Sequence, residues 1–220
     1  PKNCFRKFPV IKNTYLCSVM EIIDSFKTIA SLSEGIYKEK GSKFLAFAFP
    51  VANEIQVKQH QAELRKRFFD ARHHVYAFRI GSDKKFYRCS DDGEPSNSSG
   101  PPVLGQIQSF DLTNILIVVV RYFGGTKLGV PGLINAYRTA AADAINNSKI
   151  IVCIEKSEIE LRFQYPAMGD VMRIIKDFDI EIAEQELLID CRIKLLVAKS
   201  SVNLIVDKFS DLRTCQIDIK

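Results

Sequence analysis

The sequence predicts an α+β protein of two domains, and three observations support this prediction. The last third of the chain follows the order strand, helix, strand, strand, helix, strand, which is the split ferredoxin-like motif. The charge also divides there, since residues 1–149 carry 21 Lys and Arg against 13 Asp and Glu, whereas residues 150–220 carry 10 against 13. The earlier part contains a buried strand that leads through a glycine-rich loop into a helix. We therefore expect domains at 24–149 and 150–220, after an extension at 1–23.

Alternating apolar residues predict the first elements of the leading domain. Strands are expected at residues 29–32, 35–40 and 43–51, with a turn between the last two. Asn53 is suited to cap a helix, whose inward side chains are predicted to be Ile55, Leu64 and Phe68.

Two further strands and a long loop come next. Residues 74–80 and 86–89 alternate as strands do, whereas residues 90–102 contain turn-forming residues and no apolar side chain that could pack. Ordered loops of this length often carry function. Residues 103–110 suggest a short helix that leads to the buried strand.

Residues 115–120 are an unbroken apolar run, typical of a strand that is buried on both faces. A glycine loop follows, and then a helix with Pro131 in its first turn and an inward face formed by Leu133, Ala136, Tyr137, Ala140 and Ala144. Glycines allow backbone amides to converge, and a helix start attracts anions. The loop is therefore a candidate anion or nucleic-acid site, made by Arg121, Gly124, Gly125, Lys127, Gly129 and Gly132. The alternative is that the glycines only permit tight turns, and their spacing matches neither the dinucleotide-binding nor the Walker A pattern.

The second domain is predicted in the same way. Strands are expected at 158–163, 180–183, 187–197 and 214–219, with helices at 167–178 and after Ser200, which is placed to cap the second helix.

Composition limits the class of protein. With 46% hydrophobic and 26% charged residues, the chain is expected to be globular. No apolar run approaches the roughly 20 residues that span a bilayer, so we predict a cytoplasmic protein without a membrane partner. Six cysteines without a zinc-type spacing indicate free thiols. Residues 1–19 have no secretory pattern, and we hypothesise that translation starts at Met20.

The long loop contains an acidic motif. Asp91, Asp92 and Glu94 surround Gly93, and such carboxylates could hold a hard cation, accept hydrogen bonds from their own loop, or pair with Arg88 or Arg121. We predict neither a metal nor a cofactor. An acid–base role for His73, oriented by Asp92 or Glu94, is a second possibility.

A nucleic-acid interface is a further possibility, because cations alternate with aromatic side chains that bases could stack on. The cations are Arg72, Arg79, Arg88, Arg121, Lys127 and Arg138, and the aromatic residues are Tyr76, Phe86, Tyr87, Tyr122 and Phe123.

Three long motifs make the sequence similar to a known family. A-R-H-H-V-Y-A-F-R-I-G at 71–81, S-D-D-G-E-P-S-N-S-S-G-P-P at 90–102 and V-R-Y-F-G-G-T-K-L-G-V-P-G-L-I-N-A-Y at 120–137 closely resemble the IMPACT family, in particular its bacterial YigZ branch. The matching positions are His73, Asp91, Asp92, Gly93, Glu94, Pro95, Gly100, Arg121, Tyr122, Phe123, Gly124, Gly125, Leu128, Gly129, Gly132 and Tyr137. The sequence departs from the family pattern at Asn97 and Pro131, where Gly is usual or frequent, and at Val75, which is often Cys.

The resemblance implies a first domain like the fourth domain of elongation factor G and a ferredoxin-like second domain like its fifth. It also implies a link to translation, through RNA, the ribosome or a regulatory protein, and it brings no catalytic residues. We therefore predict a translation-related binding protein that uses its basic first domain. The alternative is an enzyme that acts on a phosphorylated or acidic small molecule through Asp92, Glu94 and His73. A regulator that binds only protein is a third possibility.

Overall fold

A computed structural model of the chain describes residues 24–212 and 214–219. The hypothesis that translation starts at Met20 and the predicted extension lie outside these residues. The chain divides near residue 153 into two units, of which the first comprises residues 26–153 and the second residues 154–219 with residues 24 and 25. Each unit has its own hydrophobic core.

The first unit is built on a five-stranded antiparallel sheet. In chain order its elements are strands β1 (Ser25–Ile29), β2 (Ser33–Glu39) and β3 (Ser42–Pro50), helix α1 (Glu54–Arg67), strands β4 (His73–Ile80) and β5 (Phe86–Ser90), helix α2 (Gly100–Ser109), strand β6 (Ile115–Tyr122), helix α3 (Gly129–Asn146) and strand β7 (Ile150–Ile154). The sheet order is β2-β3-β6-β4-β5, and β1 pairs with β7 in a separate two-stranded sheet. Strand β6 therefore lies at the centre.

Helices cover both faces of this sheet. Helices α2 and α3 pack on one face through Val103, Ile107, Leu133 and Tyr137, and α1 packs on the other through Val57 and Leu64. This confirms the prediction that residues 115–120 are buried on both faces, since every one of them is at most 1% exposed. The apolar face predicted for α3 is confirmed as well.

Other predictions for the first unit were wrong. The first strand ends at Ile29, and Leu32 is 49% exposed in the following turn, so residues 29–32 do not form a strand. Asn53 does cap α1 by accepting a hydrogen bond from the Gln56 amide at 3.0 Å, but Ile55 points outward and is 68% exposed. Strand β7 was missed, because it is short and half exposed.

The second unit has the predicted order of elements. Strand β8 (Lys156–Gln164), helix α4 (Met168–Asp177), strands β9 (Glu181–Leu187) and β10 (Asp190–Ala198), helix α5 (Val202–Ser210) and strand β11 (Cys215–Ile219) form a four-stranded sheet of order β11-β8-β10-β9, with an apolar core between sheet and helices. The prediction that Ser200 caps a helix was wrong, because Ser201 precedes α5 and no side chain caps it.

Candidate functional site

A groove of about 770 Å³ lies beside the end of β6 and the start of α3. All three family motifs contribute to its walls, through His73 from the first, Glu94 from the second, and Arg121, Lys127 and Gly129 from the third. Residues 70–72, Pro95, Tyr122, Phe123, Leu128, Val130 and Leu133 complete the lining. Its volume is in the range of pockets that enclose a small ligand.

Glu94 and Arg121 form a buried ion pair on this surface. Arg121 Nη1 donates to Glu94 Oε1 at 2.5 Å, and the two side chains are 7% and 4% exposed. The Tyr137 hydroxyl from α3 donates to the same carboxylate oxygen at 2.8 Å. Burial, and then the charge of Glu94, raises the pKa of Tyr137, so the phenol stays protonated and remains a donor.

His73 stands at the side of this ion pair. Its Nε2 is 3.9 Å from Glu94 Oε1, and its Nδ1 lies 2.9 Å from the carbonyl oxygen of Asp92. A carbonyl oxygen only accepts, so the contact at Nδ1 is a hydrogen bond when Nδ1 carries the proton.

Asp91 supports the loop from within. Its Oδ1 accepts hydrogen bonds from the Ser99 amide, the Ser99 hydroxyl and the Gly100 amide, and its Oδ2 accepts one from the Asn97 amide. It thereby binds the first amides of α2, where the Ser99 side chain itself provides no cap. Burial alone would raise the pKa of Asp91, but the hydrogen bonds from Ser99, Gly100 and Asn97 outweigh it and lower the pKa below its ordinary value.

Asp92 connects the loop to two other elements. Arg65 of α1 donates to its Oδ1 at 2.7 Å and the His74 amide to its Oδ2 at 2.6 Å. Burial would raise the pKa of this carboxyl too, yet its bonds to Arg65 and His74 lower it. Both oxygens are engaged, and Asp92 and Asp91 do not line the groove. The structure therefore supports the interpretation of these two carboxylates as braces.

The acidic motif does not assemble a cation site. Within residues 24–212 and 214–219, no group of three or more His, Cys, Asp and Glu side chains is arranged to hold a metal ion. Arg88 pairs with Glu54 instead of the acidic loop, so of the two arginines considered only Arg121 meets it.

The glycines have different roles. A Cβ on Gly124 would lie 1.9 Å from the carbonyl carbon of Gly41, so this residue allows the loop to approach the β2–β3 turn, and its amide donates to Ser42 Oγ at 3.1 Å. Gly125 and Gly129 have positive φ angles of 87° and 74°. Gly93 also has a positive φ, and Gly132 lies in the first turn of α3 beside Leu128. Tight packing therefore accounts for Gly124, and loop geometry for Gly125 and Gly129.

The N-terminus of α3 opens beside the cations. Leu128 occupies the N-cap position and provides no side-chain hydrogen bond. Lys127 and Arg72 are exposed, and neither forms a hydrogen bond or ion pair with another residue that the structure describes. These charges are available to a ligand, whereas that of Arg121 is partly balanced by Glu94.

The predicted set of nucleic-acid residues is only partly brought together. Arg79 is 6% exposed and donates to the Leu112 carbonyl at 2.6 Å, so including it was wrong. Arg88, Arg138, Phe86 and Tyr87 do not line the groove, and Tyr76 packs against the core on the α1 side. Sequence reasoning missed the Tyr137 hydroxyl and the Arg65 contact. Tyr137 belongs to a family motif and could have been found there, whereas no local pattern marks Arg65.

One departure from the family pattern has a physical explanation. Asn97 has a positive φ of 62°, which is the backbone region that glycine adopts at no cost and that asparagine tolerates best among the other residues. The loop therefore keeps its shape although Asn replaces the usual Gly.

Comparison with known proteins gives a consistent result. The sequence profile described as the Impact N-terminal domain matches residues 40–145. An IMPACT family member in the pol 5'region of Thermus thermophilus is 38% identical over 143 residues, which cover 65% of this chain and 76% of the relative. The IMPACT family member YigZ of Escherichia coli is 29% identical over 164 residues, or 73% of this chain and 80% of the relative.

A solved structure shares the fold of this chain. A crystal structure described as that of an hypothetical protein superposes with a TM-score of 0.67 at 25% identity, over 88% of this chain and 96% of the other. With the His73, acidic and glycine-loop motifs meeting at one groove and relatives that share most of their length with it, this chain belongs to the IMPACT family, among its bacterial YigZ-like members.

Proposed function

We propose that this protein is a regulator of translation that binds RNA, including RNA of the ribosome, through the groove of its first unit. The observation that carries the proposal is the grouping of Arg72, Arg121 and Lys127 with the uncapped N-terminus of α3 and the exposed ring of Phe123. Cations and helix amides bind phosphate oxygens, and an exposed aromatic ring stacks on bases.

Charge supports the first unit as the part that meets RNA. Residues 26–153 carry 17 Lys and Arg against 11 Asp and Glu, a net charge of +6, whereas residues 150–220 have a net charge of −3. Long-range attraction therefore favours approach of a polyanion to the first unit.

In the second unit, the outward faces of β8 and β10 do not carry the surface that RNA-binding ferredoxin-like domains use. Those domains stack bases on aromatic side chains of the open sheet face. Here the outward positions of β8 and β10 carry Glu160, Arg162, Arg192 and Lys194, which are held in ion pairs along the sheet. A stacking platform is absent from the outward face of these two strands, so this face does not compete with the groove as the RNA site.

Fluorescence anisotropy with labelled single-stranded RNA at several salt concentrations tests the proposal. Each phosphate contact in single-stranded RNA contributes about −0.7 to the slope of log K against log salt. Lys127→Ala and Arg72→Ala are each expected to weaken binding and to make the slope less steep by about 0.7. Lys58→Ala, an exposed charge of α1 outside the groove, is the matched control and should change neither value.

Two results would reject the RNA proposal: no saturable binding by the wild-type chain at low salt, or equal losses in Lys58→Ala and Lys127→Ala. Binding of a protein partner instead would then remain as the route to translation control.

A second candidate function is an enzyme for a phosphorylated or acidic small molecule. The specific observation is that His73 Nε2 lies 3.9 Å from the buried Glu94 carboxylate at the groove, so the two side chains would have to approach to hydrogen-bond distance, or share one water, to transfer a proton. Asp92 contributes only by positioning, since its oxygens bind Arg65 and the His74 amide. Turnover of phosphoester substrates, with divalent metal ions supplied, should disappear in His73→Ala and in Glu94→Ala while circular dichroism stays native; no wild-type turnover would exclude this function.

A further inference from the structure

The Arg121 guanidinium lies at the wall of the groove, with its Nε–H unpaired among the described residues. It lies between two aromatic rings, with its Cζ 5.4 Å from the centroid of Phe44 and 5.6 Å from that of Phe123. Arg121 Nη1 binds Glu94, whereas Nε is buried and has no hydrogen-bond partner among the described residues. The buried Nε is closed to a ligand, so Arg121 contributes to the groove through its positive charge, at a wall position beside Phe123.

The remaining positive groups lie around a concavity rather than along a stripe. Lys127 is two residues before α3, and the first residues of that helix, Gly129 and Val130, form part of the wall. Arg72, from the motif at 71–81, adds a third positive charge to the wall. Apart from His73, the lining carries three cations against Asp70 and Glu94, a net charge of +1, and Glu94 is already bonded by Arg121 and Tyr137.

Among the described residues that line the groove, Phe123 has the one exposed aromatic ring. Phe123 is 57% exposed, and one of its neighbours is the Arg121 guanidinium. Phe44 is fully buried and cannot stack on a base, and Tyr122 is partly buried against the core on the α1 side. The ring can stack on one base, and the helix N-terminus beside it can bind one phosphate group.

We propose that the groove recognises the terminal phosphate of an RNA chain, a phosphomonoester at its 5′ or 3′ end. This inference rests on the proposed function and specifies which part of the RNA the groove takes. A phosphomonoester carries a charge of about −1.5 to −2 and three free oxygens, whereas an internal phosphodiester carries a single negative charge. A chain end can enter a concave site with its phosphate first, while an internal nucleotide must pass the chain out on both sides.

The test uses three RNAs of one sequence with an internal label: one with a 5′-phosphate, one with a 3′-phosphate and one with hydroxyl groups at both ends. Affinities are measured at constant ionic strength with the full chain. One phosphorylated RNA is expected to bind about tenfold more tightly than the RNA without phosphate, as an anion at a helix N-terminus with adjacent cations would do. Comparison of the two phosphorylated RNAs identifies the end.

Variants and a competitor locate the preference. Lys127→Ala should abolish most of the tenfold difference, and Lys58→Ala should retain it. Adenosine 5′-monophosphate is expected to displace the RNA that carries the preferred end, whereas adenosine is not. Equal affinity of wild-type protein for all three RNAs would overturn end recognition while leaving the RNA-binding function intact. Absence of binding to every RNA would overturn both.

Discussion

At the scale of single residues, the three carboxylates of the acidic loop serve three different contacts. Asp91 binds the amides that begin α2, Asp92 joins Arg65 to the His74 amide, and Glu94 neutralises Arg121. The sequence presents them as one acidic cluster, and their separation into distinct partners depends on α1, β4 and β6 coming together. The sequence therefore predicts that these carboxylates bind a cation, their own loop or an arginine, but which of these partners each one has depends on the tertiary structure.

The Asp91 carboxylate is expected to stabilise the first unit in a pH-dependent way. Because its hydrogen bonds lower its pKa in the folded chain, its contribution is fully present above the unfolded pKa and is lost as the pH falls through the folded pKa. Asp91→Asn should reduce the free energy of unfolding by about 1–3 kcal/mol near neutral pH. This difference should shrink below about pH 5.

Urea unfolding of the full chain between neutral and acidic pH measures this difference. Glu63→Gln, at an exposed position of α1, provides the control and should change stability by less than about 0.5 kcal/mol. A difference between wild type and Asp91→Asn that grows on acidification would have the wrong sign and would contradict the assignment.

The Glu94–Arg121 pair predicts a larger effect, because both partners are buried. Arg121→Met leaves the Glu94 carboxylate without its counter-charge, and breaking a buried pair in this way costs about 3–5 kcal/mol. The control is Arg88→Met, which removes an ion pair whose side chains are 59% and 38% exposed; exposed pairs contribute about 0–1 kcal/mol. Similar losses in the two variants, measured by urea unfolding, would show that Glu94 is not held as described.

At the scale of secondary-structure elements, local patterns predicted most helices and strands. Strand β6 was predicted from a continuous apolar run, and the apolar face of α3 from apolar residues at helical spacing. Both patterns can be seen in a short stretch of sequence. The pairing of β1 with β7 was missed because it joins distant segments of moderate hydrophobicity, and the extent of α2 was shortened because its first residues, Gly100 to Pro102, have turn-forming character. The groove itself arises where β6, α3 and the acidic loop meet, which no single window of sequence contains.

The glycine loop gives a prediction at this scale. Gly124→Ala places a Cβ 1.9 Å from Gly41 backbone, so the β2–β3 turn must move, and we expect a loss of at least about 1–3 kcal/mol. The matched substitution is Gly105→Ala in α2, where nothing lies within 4 Å of the new Cβ. There the better helix propensity of Ala should stabilise the chain by about 0.5–1 kcal/mol.

Thermal or urea unfolding of the two glycine variants provides the comparison. Equal stability of Gly124→Ala and wild type would mean that the loop and the turn are not in contact, and would leave Gly124 as a residue that only permits a turn.

At the scale of the whole molecule, the two units differ in charge and in surface chemistry. The sequence predicted this asymmetry directly, because net charge is a sum over residues and does not depend on the fold. The first unit has an open groove in which Arg72 and Lys127 form no ion pair with another described residue, whereas the outward face of β8 and β10 in the second unit carries ion pairs. The resemblance of the units to domains four and five of elongation factor G stays a prediction. Among the described residues, no helix is both long and apolar enough to cross a membrane.

The central claim is that RNA lies in the groove with a base against Phe123, and photo-crosslinking tests it most directly. Full-length protein is irradiated with an RNA that contains 5-bromouridine, digested with trypsin and analysed by mass spectrometry. Cleavage after Arg121 and Lys127 releases residues 122–127 as one peptide, and we predict that this peptide carries the crosslinked nucleotide. Crosslinks found only within residues 154–219, with none in the peptide that contains Phe123, would contradict the account.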